Sequence, residues 1–341
     1  MNRFYVFTTA LFAVAAISAS VRADDSAPAA APVFDLTGSL QLQAQKAVYD
    51  NGTENNLDDF FGRVNIGGLF KAPDMQAFIN IRAFPEGFGY EPIIGAAFDS
   101  TAQSVEIQKT KIAKFQVEQA WFKYIWGSTS LLIGRFYKTT SKSVSFGNYI
   151  DQDVPGGFQL KVYYHHAAEL SIVTGMLTSS LLLGAGDSKL NTGYLRIFEC
   201  IKPVDGLTIA AAYRSNAFDP IYDENAEVFN RFSLNADYRI MKDLVPYVEF
   251  GVIQKVDDEY DLPLLIGCKV PTSSILSALG FELEFLNDRK VGGDDVPVLW
   301  NIYFDKTAGE HTKFQAAVYS DPAGKSASDV RIALRMTATL K

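Results

Sequence analysis

The chain is poor in the residues that carry most enzyme and metal chemistry. Among 341 residues there are only 2 cysteines and 3 histidines. Cys200 and Cys268 stand far apart in separate strand-like segments, which is too few for a disulfide framework. His165-His166 falls between two strand candidates, where a tight turn is expected, and no other Cys or His stands nearby at ligand spacing. Gly-x-Ser-x-Gly does not occur, and Gly184-Ala185-Gly186-Asp187 lacks the strand-to-helix setting of a phosphate-binding loop. The residues therefore give no reason to expect an enzyme, a cofactor or a metal. The formal net charge is −8 and there is no basic tract to neutralise phosphates, so nucleic acid is not an expected partner. Beyond the N-terminus no apolar run reaches the roughly 20 residues of a spanning helix.

Met1 to Ala23 reads as a signal peptide: Arg3 gives the positive start, Phe4 to Ile17 the apolar stretch, and Val21-Arg22-Ala23 a small-residue cleavage site. Residues 24–34 read as a flexible lead-in rich in Ala and Pro. From residue 35 to 341 the pattern is alternation. In Arg231-Phe232-Ser233-Leu234-Asn235-Ala236-Asp237-Tyr238-Arg239-Ile240 every second residue is apolar. Glu282 to Leu286 and Arg331 to Leu340 repeat that pattern. A strand sends successive side chains to opposite faces, so each segment has one apolar and one polar face.

Turn signals divide this region into about sixteen strand candidates, an even number as in single-chain bacterial barrels. They run near 35–47, 60–70, 75–84, 112–126, 129–138, 156–166, 168–177, 191–201, 207–215, 228–240, 244–256, 261–270, 276–287, 296–306, 311–320 and 328–340. Tight turns alternate with longer polar links, the order expected when one rim of a barrel carries short turns and the other long loops. The fold class is therefore all-β, as one transmembrane antiparallel barrel. A secreted soluble β-sandwich that binds or scaffolds shares the alternation with its faces reversed, and stays open at this point. The export leader, the many long strands and the aromatics among the apolar positions (Trp121, Phe122, Tyr124, Trp126, Tyr238, Trp300 and Phe304) favour the barrel.

Strand parity then turns Arg63, Arg82, Arg135, Arg196, Arg214, Arg231, Arg239, Arg331 and Arg335 toward a wet lumen, with Lys114, Lys161, Lys269 and Lys313 beside them. Glu118, Asp237, Glu249, Glu282, Glu284 and Asp305 share that face. A charge facing lipid at mid-depth costs roughly 2–4 kcal/mol, and a one-residue slip inverts a whole strand. Wall cations outnumber wall anions by about two to one on this parity, while the long links carry many acids, so the ion preference stays open. The link 139–155 holds Gly147, Asp151 and Asp153 and is the candidate constriction, its carboxylates facing Arg63, Arg82 and Arg135. A solvated surface loop is the alternative.

Two stretches carry a resemblance. Val117-Glu118-Gln119-Ala120-Trp121-Phe122-Lys123-Tyr124, a short turn, and Leu131-Leu132-Ile133-Gly134-Arg135-Phe136-Tyr137 resemble the strand pair before the constriction loop of Gram-negative porins. Leu36-Thr37-Gly38-Ser39-Leu40 is similar to that family's first strand. The final Leu340-Lys341 departs from the aromatic terminus usual there. The resemblance implies a sixteen-stranded, trimeric barrel in the bacterial outer membrane, surrounded by its lipid. The loop after the fifth strand would fold into the pore, and ions and small hydrophilic solutes would diffuse through. The small residues Gly38, Ala44, Gly62, Gly68 and Ala77, turned outward on the first strands, are where subunits would meet; bends in the wall are the other account of them.

Overall fold

The computed structural model describes residues 31–49, 59–83, 115–144, 146–151, 164–185, 193–215, 228–242, 244–255, 259–272, 277–287, 289–291, 293–320 and 329–340. The expected signal peptide lies outside them, as do residues 24–30 of the lead-in. The strands begin at Val33, where the second of two compact units, Val33–Lys341, starts.

Apolar and polar residues alternate, with turn residues between, and the described residues form nineteen strands. They are β1 (Val33–Tyr49), β2 (Asp59–Lys71), β3 (Met75–Ala83), β4 (Phe115–Trp126), β5 (Thr129–Tyr137) and β6 (Tyr164–Thr174). Next come β7 (Leu177–Ala185), β8 (Gly193–Ile201), β9 (Leu207–Ser215), β10 (Val228–Tyr238) and β11 (Val245–Lys255). The last are β12 (Tyr260–Asp261), β13 (Leu264–Pro271), β14 (Ala278–Phe285), β15 (Lys290–Val291), β16 (Asp294–Asp295), β17 (Val298–Ala308), β18 (Thr312–Ser320) and β19 (Val330–Leu340). The three two-residue strands lie in links: β12 adds a short partner to β11, and β15 pairs with β16. The other sixteen form the wall. Each is antiparallel to the next, and β1 pairs with both β2 and β19, which closes the sheet. Closure removes the exposed edges that a membrane-embedded sheet cannot tolerate. One closed sheet is not a sandwich, so the soluble alternative is excluded.

The faces follow the pleat. Leu131, Leu170, Leu181, Ile197, Tyr213 and Phe232 are cross-strand neighbours in one row, and from Leu170 onward they are exposed on the outside. One residue further along each strand, the row Leu132, Glu169, Leu182, Arg196, Arg214 and Arg231 points inward. Its charged members are all buried. Apolar side chains are thus left on the outer surface and ionic ones are enclosed, the reverse of a water-soluble fold.

Two strands lie elsewhere than the pattern predicts. The sixth and seventh are expected at 156–166 and 168–177, but they occupy 164–174 and 177–185. The reversal comes at Gly175, whose φ of 57° suits glycine, and not at the histidine pair. His165 and His166 therefore sit on β6, with His165 fully buried inside. Weak alternation through Ala167-Ala168-Glu169-Leu170 hides this strand in the sequence. The link between β11 and β13, short on sequence grounds, is longer and holds β12.

Inside the wall three tyrosines lie across glycines on neighbouring strands: Tyr194 on Gly184, Tyr247 on Gly267 and Tyr303 on Gly280. A Cβ at any of these glycines would overlap the ring. Each ring covers backbone that a side chain would otherwise shield and pins the register of its pair. Gly280→Leu should therefore lower the thermal unfolding midpoint in detergent. In a double-mutant cycle with Tyr303→Ala the two losses should fall short of additive by about 1 kcal/mol, the scale for residues in contact. Full additivity would show that the ring and the glycine are not coupled.

Candidate functional site

The segment after β5 turns inward and is clasped by the wall. Phe146, Gly147, Asn148, Tyr149, Ile150 and Asp151 are all buried. Ser143 and Val144 reach β14: the Ser143 hydroxyl and the Val144 N–H donate to Glu282 Oε1, each at 2.7 Å. Ser143 Oγ also accepts from the Phe146 N–H at 2.6 Å, which shapes the bend. Gly147 and Asn148 both have positive φ, 83° and 57°, and the chain reverses there. Gly147 is needed on two counts, because a Cβ would also stand 2.7 Å from Glu249 Oε2. The Tyr149 N–H donates to Glu249 Oε1 at 3.2 Å, and its hydroxyl donates to Glu284 Oε1 at 2.8 Å.

Three buried glutamates thus hold one side of the loop. Glu249 on β11 and Glu284 on β14 share a row through Leu265, and Glu282 lies one inward position away. Tyr247 and Asn301 donate to Glu282 at 2.8 and 2.9 Å, Ser233 donates to Glu249 at 3.3 Å, and Arg289 pairs with Glu284. Buried carboxylates are tolerated only when hydrogen-bonded, and the loop supplies part of that satisfaction. Beside them Phe146, Tyr149, Tyr247, Ile253, Leu265, Val296 and Leu299 form an apolar cluster that the loop completes. Burial, followed by the Glu284 and Glu249 charges, raises the Tyr149 phenol well above its ordinary value, which keeps it a donor.

The other side of the clasp has the opposite sign. Asp151 is 1% exposed and lies 3.1 Å from Arg196 Nε on β8, 3.9 Å from Arg214 on β9 and 3.5 Å from His165 Nε2 on β6. His165 Nδ1 meets the Tyr194 hydroxyl at 2.5 Å, and Arg214 lies over the Tyr194 ring at 3.9 Å. Burial alone would raise the Asp151 pKa; Arg196, with His165 and Arg214, outweighs it and holds the carboxyl well below the usual carboxylate range.

The residues singled out by parity divide. Arg82 and Glu118 face inward as a buried pair, with Asn80 donating to Glu118 at 3.0 Å and Arg82 donating to Asn65 at 3.3 Å. Arg231 and Arg335 are buried inside, and Arg335 donates to Gln43 at 2.8 Å. Arg331 lies on the same face as Arg335, and Arg63 on the same face as Asn65. Lys269 and Lys313 meet Asp305 at 3.5 and 3.0 Å.

Other residues depart from the expectation. Arg135 is opposite Ala120 and His166, on the outer face, where it pairs with His166 and donates to the Glu118 carbonyl at 2.8 Å. Its neighbour Phe136 takes the inside with Ala167, Leu182 and Tyr194, and Trp121 packs there as well instead of facing out. An apolar patch inside the wall reverses the parity argument for this strand pair, so the interior is not ionic throughout. Arg239 follows the end of β10 and is exposed in a turn, outside the wall. Arg196 and Arg214 partner Asp151, in place of the early-strand arginines. Asp153, Lys114 and Lys161 lie outside the described residues, as do most of the acids on the long links. His165 was hidden from sequence reading because its strand was; its place beside Tyr194 comes only from the register.

Two measurements check this geometry. Carboxyl NMR of 13C-aspartate-labelled protein should show Asp151 ionised throughout from pH 7 to pH 4. Because its folded pKa is depressed, its stabilising contribution is complete above the unfolded value of about 3.9 and is lost only as pH falls through the lower folded value. A midpoint in the ordinary range would contradict the ion-pair centre. Gly147→Val should increase hydrogen exchange across residues 143–151 while leaving the strand amides protected; unchanged loop exchange would mean that the clasp does not depend on that close approach.

No protein-family model and no curated protein sequence matches the chain. Solved structures do match its fold. A mutant of the Rh. blastica porin is similar over 90% of this chain and 100% of that one, at 12% identity and a TM-score of 0.57. OprB of Pseudomonas putida covers 90% of this chain and 94% of its own, at 11% identity and a TM-score of 0.59. A loop-deleted OmpT, an outer membrane protein of Vibrio cholerae, covers 91% and 100% at 8% identity and a TM-score of 0.57. The chain has the barrel fold of these proteins.

Proposed function

We propose that this protein is a passive channel of the bacterial outer membrane, through which ions and small hydrophilic solutes diffuse without a catalytic step. The observation that carries the reading is the orientation of the wall: a closed sheet with apolar side chains exposed outside and ionic ones enclosed. An outward apolar band suits lipid, and a charged interior suits water and ions. The fold shared with solved porins supports the same reading. Tyr124 and Trp126 at one rim, ring centroids 5.5 Å apart, suit an interfacial girdle. The loop reaching β14 supports a role for residues 139–151 in narrowing the bore, with Arg82, Glu118, Arg231, Arg331, Arg335 and Arg63 along its walls. Outward Gly38 and Ala44 on β1 and Ala77 on β3, the two strands that flank β2, support a subunit contact in a homotrimer.

A second reading has its own observation. Tyr149, Ile150 and Arg196 are 0% exposed, which suits a barrel whose lumen the loop closes, for structure or adhesion. Purified protein added to planar bilayers should give stepwise, ohmic conductance. Protein that shows heat-modifiable gel mobility, and so is folded, yet never conducts and never supports solute-driven liposome swelling would favour the closed barrel and end the channel reading.

A further inference from the structure

β3 and β4 meet with Phe78 opposite Trp121 and, two residues along, Gln76 opposite Lys123. All four face the lumen, since Lys123 is opposite Leu132, a member of the inward row. The Phe78 and Trp121 rings pack together, with centroids 5.5 Å apart at an interplanar angle of 36°. Trp121 is steadied from the β5–β8 side by the apolar patch of Phe136, Ala167, Leu182 and Tyr194. Phe78, Trp121, Gln76 and Lys123 nevertheless stay partly exposed, and on the inner face that surface opens to the bore. Apolar ring surface left in water is a cost that a ligand's own ring relieves by stacking on it. The polar neighbour is a cation without an acid. Lys71, beyond Gln76 in the same row, meets Asp35 at 2.8 Å, and Arg82 further along β3 meets Glu118. Among the described residues Lys123 has no ion-pair partner.

We propose that Phe78, Trp121 and Lys123 form a binding site for a small aromatic carboxylate in the lumen. The solute's ring lies against the Phe78–Trp121 pair, its carboxylate meets the Lys123 ammonium, and the Gln76 amide is a second donor. The spacing suits this. Residues two apart on a strand send their side chains to the same face about 7 Å apart, and the flexible lysine stem lets the ammonium reach a carboxylate attached to a stacked ring. An apolar platform with few, placed polar groups is the usual make-up of a small-molecule site. A neutral ring lacks the group that Lys123 recognises, and an aliphatic carboxylate lacks the face that the two rings recognise. The site deepens the channel reading and rests on it, because the lumen is the route by which a solute reaches these side chains.

Benzoate is the probe, with acetate and benzyl alcohol standing for its two halves. Calorimetry on detergent-solubilised full-length protein, corrected for micelles alone, should show saturable benzoate binding. Acetate and benzyl alcohol should both bind more weakly at the same pH and ionic strength. Lys123→Gln should weaken benzoate binding by roughly tenfold, the scale of one hydrogen bond to a charged group, and Lys123→Arg should keep most of the affinity. Lys123 makes no ion pair with the described wall, so the exchange to Gln should leave the barrel intact, and retained heat-modifiable gel mobility checks that. Benzoate that binds no more tightly than acetate or benzyl alcohol, or that binds Lys123→Gln as tightly as the unsubstituted protein, overturns the site. The comparison of the three solutes needs no substitution, so a misfolded variant does not remove the test. Bilayer recordings on the same preparation separate the two readings: conductance without benzoate binding removes the site alone, and benzoate binding without conductance removes the channel alone.

Discussion

Charges enclosed by the barrel wall must be compensated from within, and this constraint organises the interior. Pleating fixes which residues face inward, and the membrane-facing band fixes the choice of side. The inward positions of adjacent strands then fall beside one another whatever their sign. On β8 to β10 that produces three arginines in a row. On β11 and β14 it produces three glutamates within two neighbouring rows. Strand pairing cannot relieve either group, because the cross-strand neighbour of a charge is in several cases a charge of the same sign or an apolar residue. A segment that runs across the strands can. The loop from β5 does so, with N–H and hydroxyl donors set against the acids and a carboxylate set against the arginines.

The two halves of the clasp depend on each other through a short stretch of chain. Asp151 follows Gly147, pressed against Glu249, by four positions, and the reversal at Gly147 and Asn148 sets the direction in which Asp151 is delivered. Removing one partner from a buried ion pair costs about 3–5 kcal/mol because the other charge is stranded. Hydrogen bonds to charged groups contribute about 1.5–3 kcal/mol each. On either scale the loop is held by several contacts of comparable strength, none of them on its own strand pair. Elsewhere the wall compensates itself: Arg82 meets Glu118, Lys138 meets Glu169 at 2.5 Å, and Lys269 and Lys313 meet Asp305. The loop lies over Glu249, Glu282 and Glu284 on one side and Arg196 and Arg214 on the other, and adds its own groups to their partners.

How far the sequence reveals this depends on how local each cause is. Alternation is local, and most of the sixteen wall strands are legible to within a few residues. β6 is not, because Ala167-Ala168 blurs its pattern, and with it went the placement of His165. Parity is local too, yet it fails at Arg135 and Trp121. It assumes that the inside is polar, and here Phe136, Leu182 and Tyr194 make an apolar patch inside. The inward loop is suggested by its glycines and carboxylates. Its partners are not, since Glu282 lies 139 residues from Ser143 and only barrel closure brings them together.

The signs of those partners explain why the loop is built as it is. A loop that carried several carboxylates against the arginines would repel Glu249, Glu282 and Glu284 on its way across the wall. A loop rich in lysine would satisfy the glutamates and be repelled at β8 and β9. The described segment avoids both: it meets the acids with neutral donors, namely Ser143, the Val144 and Tyr149 amides and the Tyr149 hydroxyl, and reserves its one charge at this end, Asp151, for the arginines. Neutral donors hydrogen-bond to an ion without cancelling its charge. The glutamates beneath the loop are thus bridged by neutral donors, while the loop's carboxylate is set against Arg196 and Arg214.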